Sequence, residues 1–185
     1  TREFEVTGPS ATELECNLTN IGITVVAIAD GDQLGIPEVN VFLNSTSENR
    51  SLTTDITGSV VAYSLLPNFT YGLNVSRYGV PFDFMPIPQL LNASGSLVPW
   101  VNVTFVCPAY SLQVNVSRGD GQPLGSVVVK IQEALGGLYS QRTTDANGTA
   151  TFTSALGNYT VAVFDNNGLE LNETSVELFQ NQNVS

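Results

Sequence analysis

The chain of 185 residues contains no histidine, a single lysine (Lys130) and two cysteines. Without histidine there is no Ser/His or Cys/His triad, no usual general base and little to hold zinc. Charged residues are 12% of the chain, against ~25% in ordinary globular domains. Six basic residues face 17 acidic ones, giving a formal net charge of −11 with no basic cluster. Such a surface does not grip a phosphate backbone, so a nucleic-acid partner is excluded. No run of about 20 apolar residues exists to span a membrane. The uncharged segment Phe84 to Ser117 is interrupted by Pro86, Pro88, Pro99 and Pro108. No charged and then apolar leader opens the chain, so the reading takes any signal peptide as removed.

What replaces the charge is uncharged and polar: 17 Asn, 18 Thr and 16 Ser, beside 42% apolar residues. The apolar share supplies a core and rules out a disordered chain. The acceptor triplet Asn-x-Ser/Thr occurs at Asn17, Asn44, Asn49, Asn68, Asn74, Asn92, Asn102, Asn115, Asn147, Asn158, Asn172 and Asn183. With 34 Ser and Thr in the chain, 17 asparagines would head roughly 3 such triplets by chance. Twelve implies a secreted, densely N-glycosylated protein that carries covalent glycans and no other cofactor. In an oxidising exterior an even cysteine count reads as a disulfide, here Cys16 with Cys107. Closing a loop of about 90 residues would stabilise the fold by roughly 4–5 kcal/mol in the chain-entropy model.

The chain also repeats itself. A shift of 90 residues places Asp30-Gly31 on Asp120-Gly121, Leu34-Gly35 on Leu124-Gly125 and Val39 on Val129. It places Thr53-Thr54-Asp55-x-x-Gly58 on Thr143-Thr144-Asp145-x-x-Gly148, and Leu66-x-Asn68-Phe69-Thr70 on Leu156-x-Asn158-Tyr159-Thr160. Between 24–75 and 114–165 there are 14 identities in 52 positions, which predicts two related domains. The hydrophobic period is two: Phe69, Tyr71, Leu73 and Val75 alternate with polar residues, as do Leu112, Val114 and Val116, and Val101, Val103 and Phe105. Turn signals recur every 8–12 residues and no stretch reads as a helix. The expected fold is all-β, with two tandem Ig-like sandwiches of about seven strands each, at 16–108 and 109–185, after a tail at 1–15. The alternation puts Asn68, Asn74, Asn102, Asn115 and Asn158 outward, and Cys16 and Cys107 inward.

The pattern Leu-Gly-x-x-x-Val, Thr-Asp-x-x-Gly, Asn-Phe/Tyr-Thr resembles the transthyretin-like sandwiches related to carboxypeptidase regulatory domains and bacterial surface-protein B repeats. The resemblance covers about 52 residues of each repeat. It implies stalk, adhesive or structural roles and no catalysis. Some B repeats carry a Lys–Asn isopeptide cross-link. The first repeat has no lysine, and Lys130 reads as a solvated strand residue. Asp30-Gly31-Asp32 and Asp165 to Gly168 read as tight turns and not calcium loops. Asp55 and Asp145 are likewise paired turns of a duplication, not a catalytic dyad. No residue is assigned to catalysis or to a metal. Trp100, beside the Val101–Phe105 strand, reads as core or as filling between domains.

Thr1 to Glu15 have no counterpart in the second repeat. Phe4 and Val6 alternate with Glu3, Glu5 and Thr7, and Leu14 resumes the parity after Gly8-Pro9. A strand pattern with no local partner is either frayed or paired with another chain. Tail, sequon density, two-sandwich body and scarcity of lysine and histidine together resemble archaeal extracellular filament subunits of the thread type. That resemblance implies a homopolymer on the cell surface, built head to tail by donor strands, serving adhesion or biofilm contact. Phe4, Val6 and Leu14 are the expected anchors. The second domain is the expected acceptor, because it closes soon after Val176–Phe179 while the first has the longer 80–107 segment. The alternative is a non-polymerising stalk or S-layer-associated module.

Overall fold

A computed structural model describes residues 18–29, 32–67, 69–87, 90, 94–136 and 138–185. The tail at 1–15, and with it Phe4, Val6 and Leu14, lies outside the described residues, as do Cys16, Asn17, Asn68 and Asn92. All regular structure in the described residues is strand. In chain order these are β1 (Thr19–Ala29), β2 (Asp32–Gly35), β3 (Asn40–Asn44), β4 (Asn49–Thr53), β5 (Ser59–Leu65), β6 (Tyr71–Arg77), β7 (Val80–Ile87) and β8 (Trp100–Val106). The second half gives β9 (Ala109–Asn115), β10 (Val128–Glu133), β11 (Tyr139–Thr143), β12 (Thr149–Ala155), β13 (Gly157–Phe164), β14 (Glu170–Leu178) and β15 (Gln182–Val184).

The two halves share one topology. Sheet order β4-β3-β6-β7 recurs as β11-β10-β13-β14. In the first half β1 joins β2 and β5 antiparallel and β8 parallel. In the second, β9 joins β12 antiparallel and β15 parallel. Each pair of sheets forms a sandwich whose inner faces are the alternating apolar residues, as along β6, where Tyr71, Leu73 and Val75 are buried. Pro81 and Pro86 lie in β7, which among the described residues pairs only with β6. A proline lacks an N–H for the ladder, so it is tolerated at such a sheet edge. The β6–β7 turn is Tyr78-Gly79, both at positive φ (50° and 76°), as a two-residue hairpin requires.

The repeat is real but its ungapped register is not. Val39 N donates to Thr54 Oγ1 (3.0 Å), and its structural equivalent is Val127 N to Thr144 Oγ1 (3.1 Å). Thr54 Oγ1 donates to Ile36 O (2.7 Å), and Thr144 Oγ1 to Leu124 O (2.9 Å). Glu38 and Ser126, at φ 56° and 63°, make the same strained corner. Val39 therefore matches Val127, not Val129, and Ile36, not Leu34, matches Leu124. Asn44 pairs with Gly72 as Gln132 pairs with Thr160, so Tyr159 matches Tyr71 and not Phe69. Each of these displacements is two residues, and in β1 against β9 it is one, since Val25 N to Gly58 O matches Val116 N to Gly148 O. Side chains alternate with period two, so a slip of two keeps every residue on its face.

Candidate functional site

The two halves differ at one sheet edge. In the first, β8 runs beside β1 from Asn20↔Trp100 to Val26↔Val106, and Phe105 is buried opposite Val25. Cys107 N continues the ladder by donating to Val26 O (2.7 Å). In the second, β15 covers β9 only from Leu112 to Val114. Val116 and Ser117 are the counterparts of Val25 and Val26. Val25 N donates to Gly58 O (2.7 Å) and Val116 N to Gly148 O (2.8 Å), and Ile36 N and Leu124 N donate to the respective valine carbonyls. Beyond Val184 a groove of about 620 Å³ lies against Val114, Val116, Leu124, Val161 and Val163, with Leu171 and Glu173 on its other wall. It occupies the place that Phe105 and Val106 fill in the first half. Its lining mixes these apolar side chains with the polar Asn115, Ser117, Asn172, Thr174 and Ser185.

Among the sequon asparagines, Asn49, Asn102, Asn147, Asn172 and Asn183 are exposed, and Asn44, Asn74, Asn115 and Asn158 are half-buried. None of these nine is buried, and they are spread over both halves. Asn158 departs from the rest: its Oδ1 is covered and has no hydrogen-bond partner. Trp100 is 45% exposed on the outer side of β8, so it fills neither core nor interdomain space.

The acidic turns are self-contained. Asp55 Oδ1 accepts from Thr57 N (2.8 Å), Thr57 Oγ1 (2.6 Å) and Ser59 N (3.1 Å). Asp145 Oδ1 accepts from Asn147 N (2.8 Å) and Thr149 N (2.9 Å). Asp165 repeats the motif with Asn167 N and Leu169 N, both at 2.8 Å. Hydrogen bonds from Thr57 and Ser59 hold the Asp55 carboxyl below the usual range, and those from Leu169 and Asn167 do so for Asp165. Gly58, Gly148 and Gly168 sit at φ 74°, 73° and 82°, which closes the turns. No group of three His, Cys, Asp or Glu that could hold a metal occurs among the described residues. The Lys130 ammonium lies 4.2 Å from the centroid of the Phe164 ring.

The buried charges were not anticipated. Arg77, from β6, and Glu133, from β10, have fully buried side chains with Nη2 and Oε1 3.2 Å apart. Arg77 Nη1 donates to Leu156 O (2.8 Å), Tyr78 Oη donates to Glu133 Oε1, and Leu135 N donates to Glu133 Oε2 (3.0 Å). This cluster fastens the first half to the second. Gly157 makes room for it, since a Cβ there would sit 3.1 Å from Arg77 Nη1 and 3.2 Å from Glu133 Oε1. The signal was in the alternation: Arg77 follows Leu73 and Val75, and Glu133 follows Val129 and Ile131, each on the inward parity.

Cys107 lies beside this cluster. Its thiol is free and buried, and burial pushes it up to about 11. Cys16, its expected disulfide partner, lies outside the described residues.

The model of macroglobulin domain MG4 matches residues 107–165, less than a third of the chain. No curated protein matches. Among solved structures, the Bacillus anthracis TIE protein is 14% identical with a TM-score of 0.39, over 91% of this chain and 33% of that one. This chain therefore spans about a third of that protein's length. The shaft pilin spaA from Lactobacillus rhamnosus GG is 11% identical with a TM-score of 0.36, covering 90% and 95% of the two chains. GBS52, the minor pilin of Streptococcus agalactiae, is 13% identical with a TM-score of 0.36, covering 90% and 93%. Likeness at this level carries no argument about function.

Proposed function

We propose that the chain is a structural subunit of an extracellular, N-glycosylated surface filament, polymerised head to tail by donor-strand exchange and serving adhesion or biofilm contact. In this reading residues 1–15 are the donor tail, 16–108 a first sandwich and 109–185 a second, and the protein is not an enzyme. The observation that carries the reading is the open slot beside Val116, in a half whose twin fills the same slot with Phe105. The occupant is the tail of a second copy. A strand laid along β9 continues the line of β15, and Ser117 offers the carbonyl that Val26 gives to Cys107 N. Alternate side chains meet the apolar residues of its lining. Phe4 takes the place of Phe105, Val6 the next inward position, and Leu14 continues the face. Burying each such side chain contributes roughly 1.5–3 kcal/mol. One tail and one slot per copy make a heterologous contact, which grows as an open filament and covers a sheet edge otherwise prone to aggregation.

The spread of exposed sequons over both halves supports the glycoprotein part, and the thread-type resemblance supports an archaeal surface as its setting. The test is a synthetic peptide of residues 1–14 added to full-length protein from which the tail has been deleted. It should bind with one-to-one stoichiometry, and Val116→Asp should abolish binding. A peptide that binds the Val116→Asp protein equally well would exclude the slot. If instead this protein's own continuation beyond Ser185 fills the slot, the peptide will not bind at all.

A further inference from the structure

We propose that the N-glycans on Asn74 and Asn102 fold back so that their first sugars stack on the exposed rings of Phe42, Phe84 and Trp100, making carbohydrate the cover of these sheet faces. This rests on the glycoprotein reading above and adds to it a place for two of the sugars.

Exposed phenylalanine or tryptophan among the described residues is confined to three positions: Phe42 at 40%, Phe84 at 60% and Trp100 at 45% exposure. All three neighbour a sequon asparagine on the outer face of a sheet. Asn74, on β6, pairs in register with Phe42 on β3 and with Phe84 on β7, so the asparagine stands between two rings. Directly paired residues hold their Cβ atoms ~5 Å apart, within reach of a sugar on Nδ2. Beside Phe84 is a depression of about 350 Å³ edged by two further sequon residues, Asn44 and Asn49.

Asn102 repeats the arrangement on another sheet. Trp100 Nε1 donates to Asn102 Oδ1 (2.6 Å). That bond fixes the carboxamide with its oxygen toward the indole and leaves Nδ2, the atom that carries a sugar, on the other side. A glycine makes room each time, Gly22 on the strand beside Asn102 and Gly72 on the strand of Asn74 itself. A Cβ on Gly22 would meet Asn102 Oδ1 at 2.5 Å and Trp100 Nε1 at 3.2 Å, and one on Gly72 would meet Asn44 Oδ1 at 2.5 Å and Phe84 Cε2 at 3.0 Å. The missing side chain lets the ring and the carboxamide lie down on the sheet. A pyranose presents a face of C–H bonds, which suits the electron-rich face of an aromatic ring. The occupant is therefore the chain's own glycan, held at the patch by its covalent bond to the asparagine in its middle. Exposed apolar patches otherwise invite association.

Trp100 is the single tryptophan of the chain, so its emission reports on one site. Thr104→Ala removes the sequon of Asn102 while leaving Asn102 and its bond to Trp100 in place, and Thr104 is exposed. In the glycosylated full-length protein, Thr104→Ala should red-shift the emission and raise the acrylamide quenching constant about two-fold or more. Thr104→Ser, which keeps the sequon, should restore the parent value. Glycopeptide mass mapping accompanies both. A sugar on Asn102 in the parent with unchanged quenching in Thr104→Ala overturns the proposal, as does an unmodified Asn102 among other occupied sequons. Emission that shifts with assembly but not with Thr104→Ala assigns the face to a neighbouring copy and also overturns it. A chain with no occupied sequon at all refutes the glycoprotein reading itself.

Discussion

Replacing Arg77 by methionine isolates the cluster that joins the two halves. Methionine keeps the apolar length of the side chain and removes the guanidinium. Glu133, fully buried, then loses its cation but keeps the Tyr78 hydroxyl and Leu135 N as donors. Leu156 O loses the donor 2.8 Å away. Breaking a buried pair by removing one partner costs about 3–5 kcal/mol, and the two surviving donors place this case near the low end, about 3 kcal/mol. For a chain of this size each kcal/mol lowers the melting temperature by ~2–4 °C, so the expected drop is about 6–12 °C by scanning calorimetry. The sign of a second substitution is the sharper test. Adding Glu133→Gln removes the orphaned charge and keeps one oxygen to accept from Leu135 N, while the new amide N–H donates to the Tyr78 hydroxyl oxygen, so Arg77→Met/Glu133→Gln should melt above Arg77→Met alone. If Arg77→Met costs less than about 1 kcal/mol, or if Glu133→Gln deepens its loss, the cluster does not hold the halves together as described.

Tyrosine ionisation supplies a pH test. Burial, with a hydrogen bond to a glutamate, pushes Tyr71 and Tyr78 up to about 12, and burial raises Tyr159 further. A folded pKa above the unfolded value of ~10 gives stability that is whole below pH 10 and lost as pH rises towards 12. Phenolate absorbance should therefore show about half of the six tyrosines silent at pH 11 until the fold gives way, and six titrating together near pH 10 would contradict the packing. Cys107, pushed up from 9.0 to about 11, carries about 100-fold less thiolate than an open cysteine. It should resist alkylation at pH 8 in the folded protein and react after unfolding without reductant. A Cys107 that stays unreactive after unfolding until reductant is added would contradict a free thiol.

Much of the fold was legible because burial follows a period of two. Leu73 and Val75, or Val129 and Ile131, face inward whichever even shift aligns the repeats, so strands, sandwiches and outward asparagines followed from the pattern. The register was not legible, because Leu34-Gly35 copies the local chemistry of Leu124-Gly125 without occupying the same corner. The long-range bonds of Thr54 and Thr144, and the pairing of β3 with β6 and of β10 with β13, decide between shifts of 88 and 90. The β6–β7 hairpin was hidden by a Tyr78-Gly79 turn that lacks the usual Asn or Asp. Arg77 and Glu133 were visible as charges on apolar parity, but nothing local said that they meet each other across the two halves. The slot beside Val116 was not legible, because its lining appears only when β9, β13 and β14 are assembled.

The central claim is that one copy's tail completes the next copy's sheet, and electron microscopy of full-length protein beside a variant lacking Thr1 to Glu13 tests it most directly. Both should fold, with matching circular dichroism. The full-length chain should elongate into filaments, and the truncated one should remain monomeric at every concentration. Truncated protein that assembles into filaments of normal length would contradict the account.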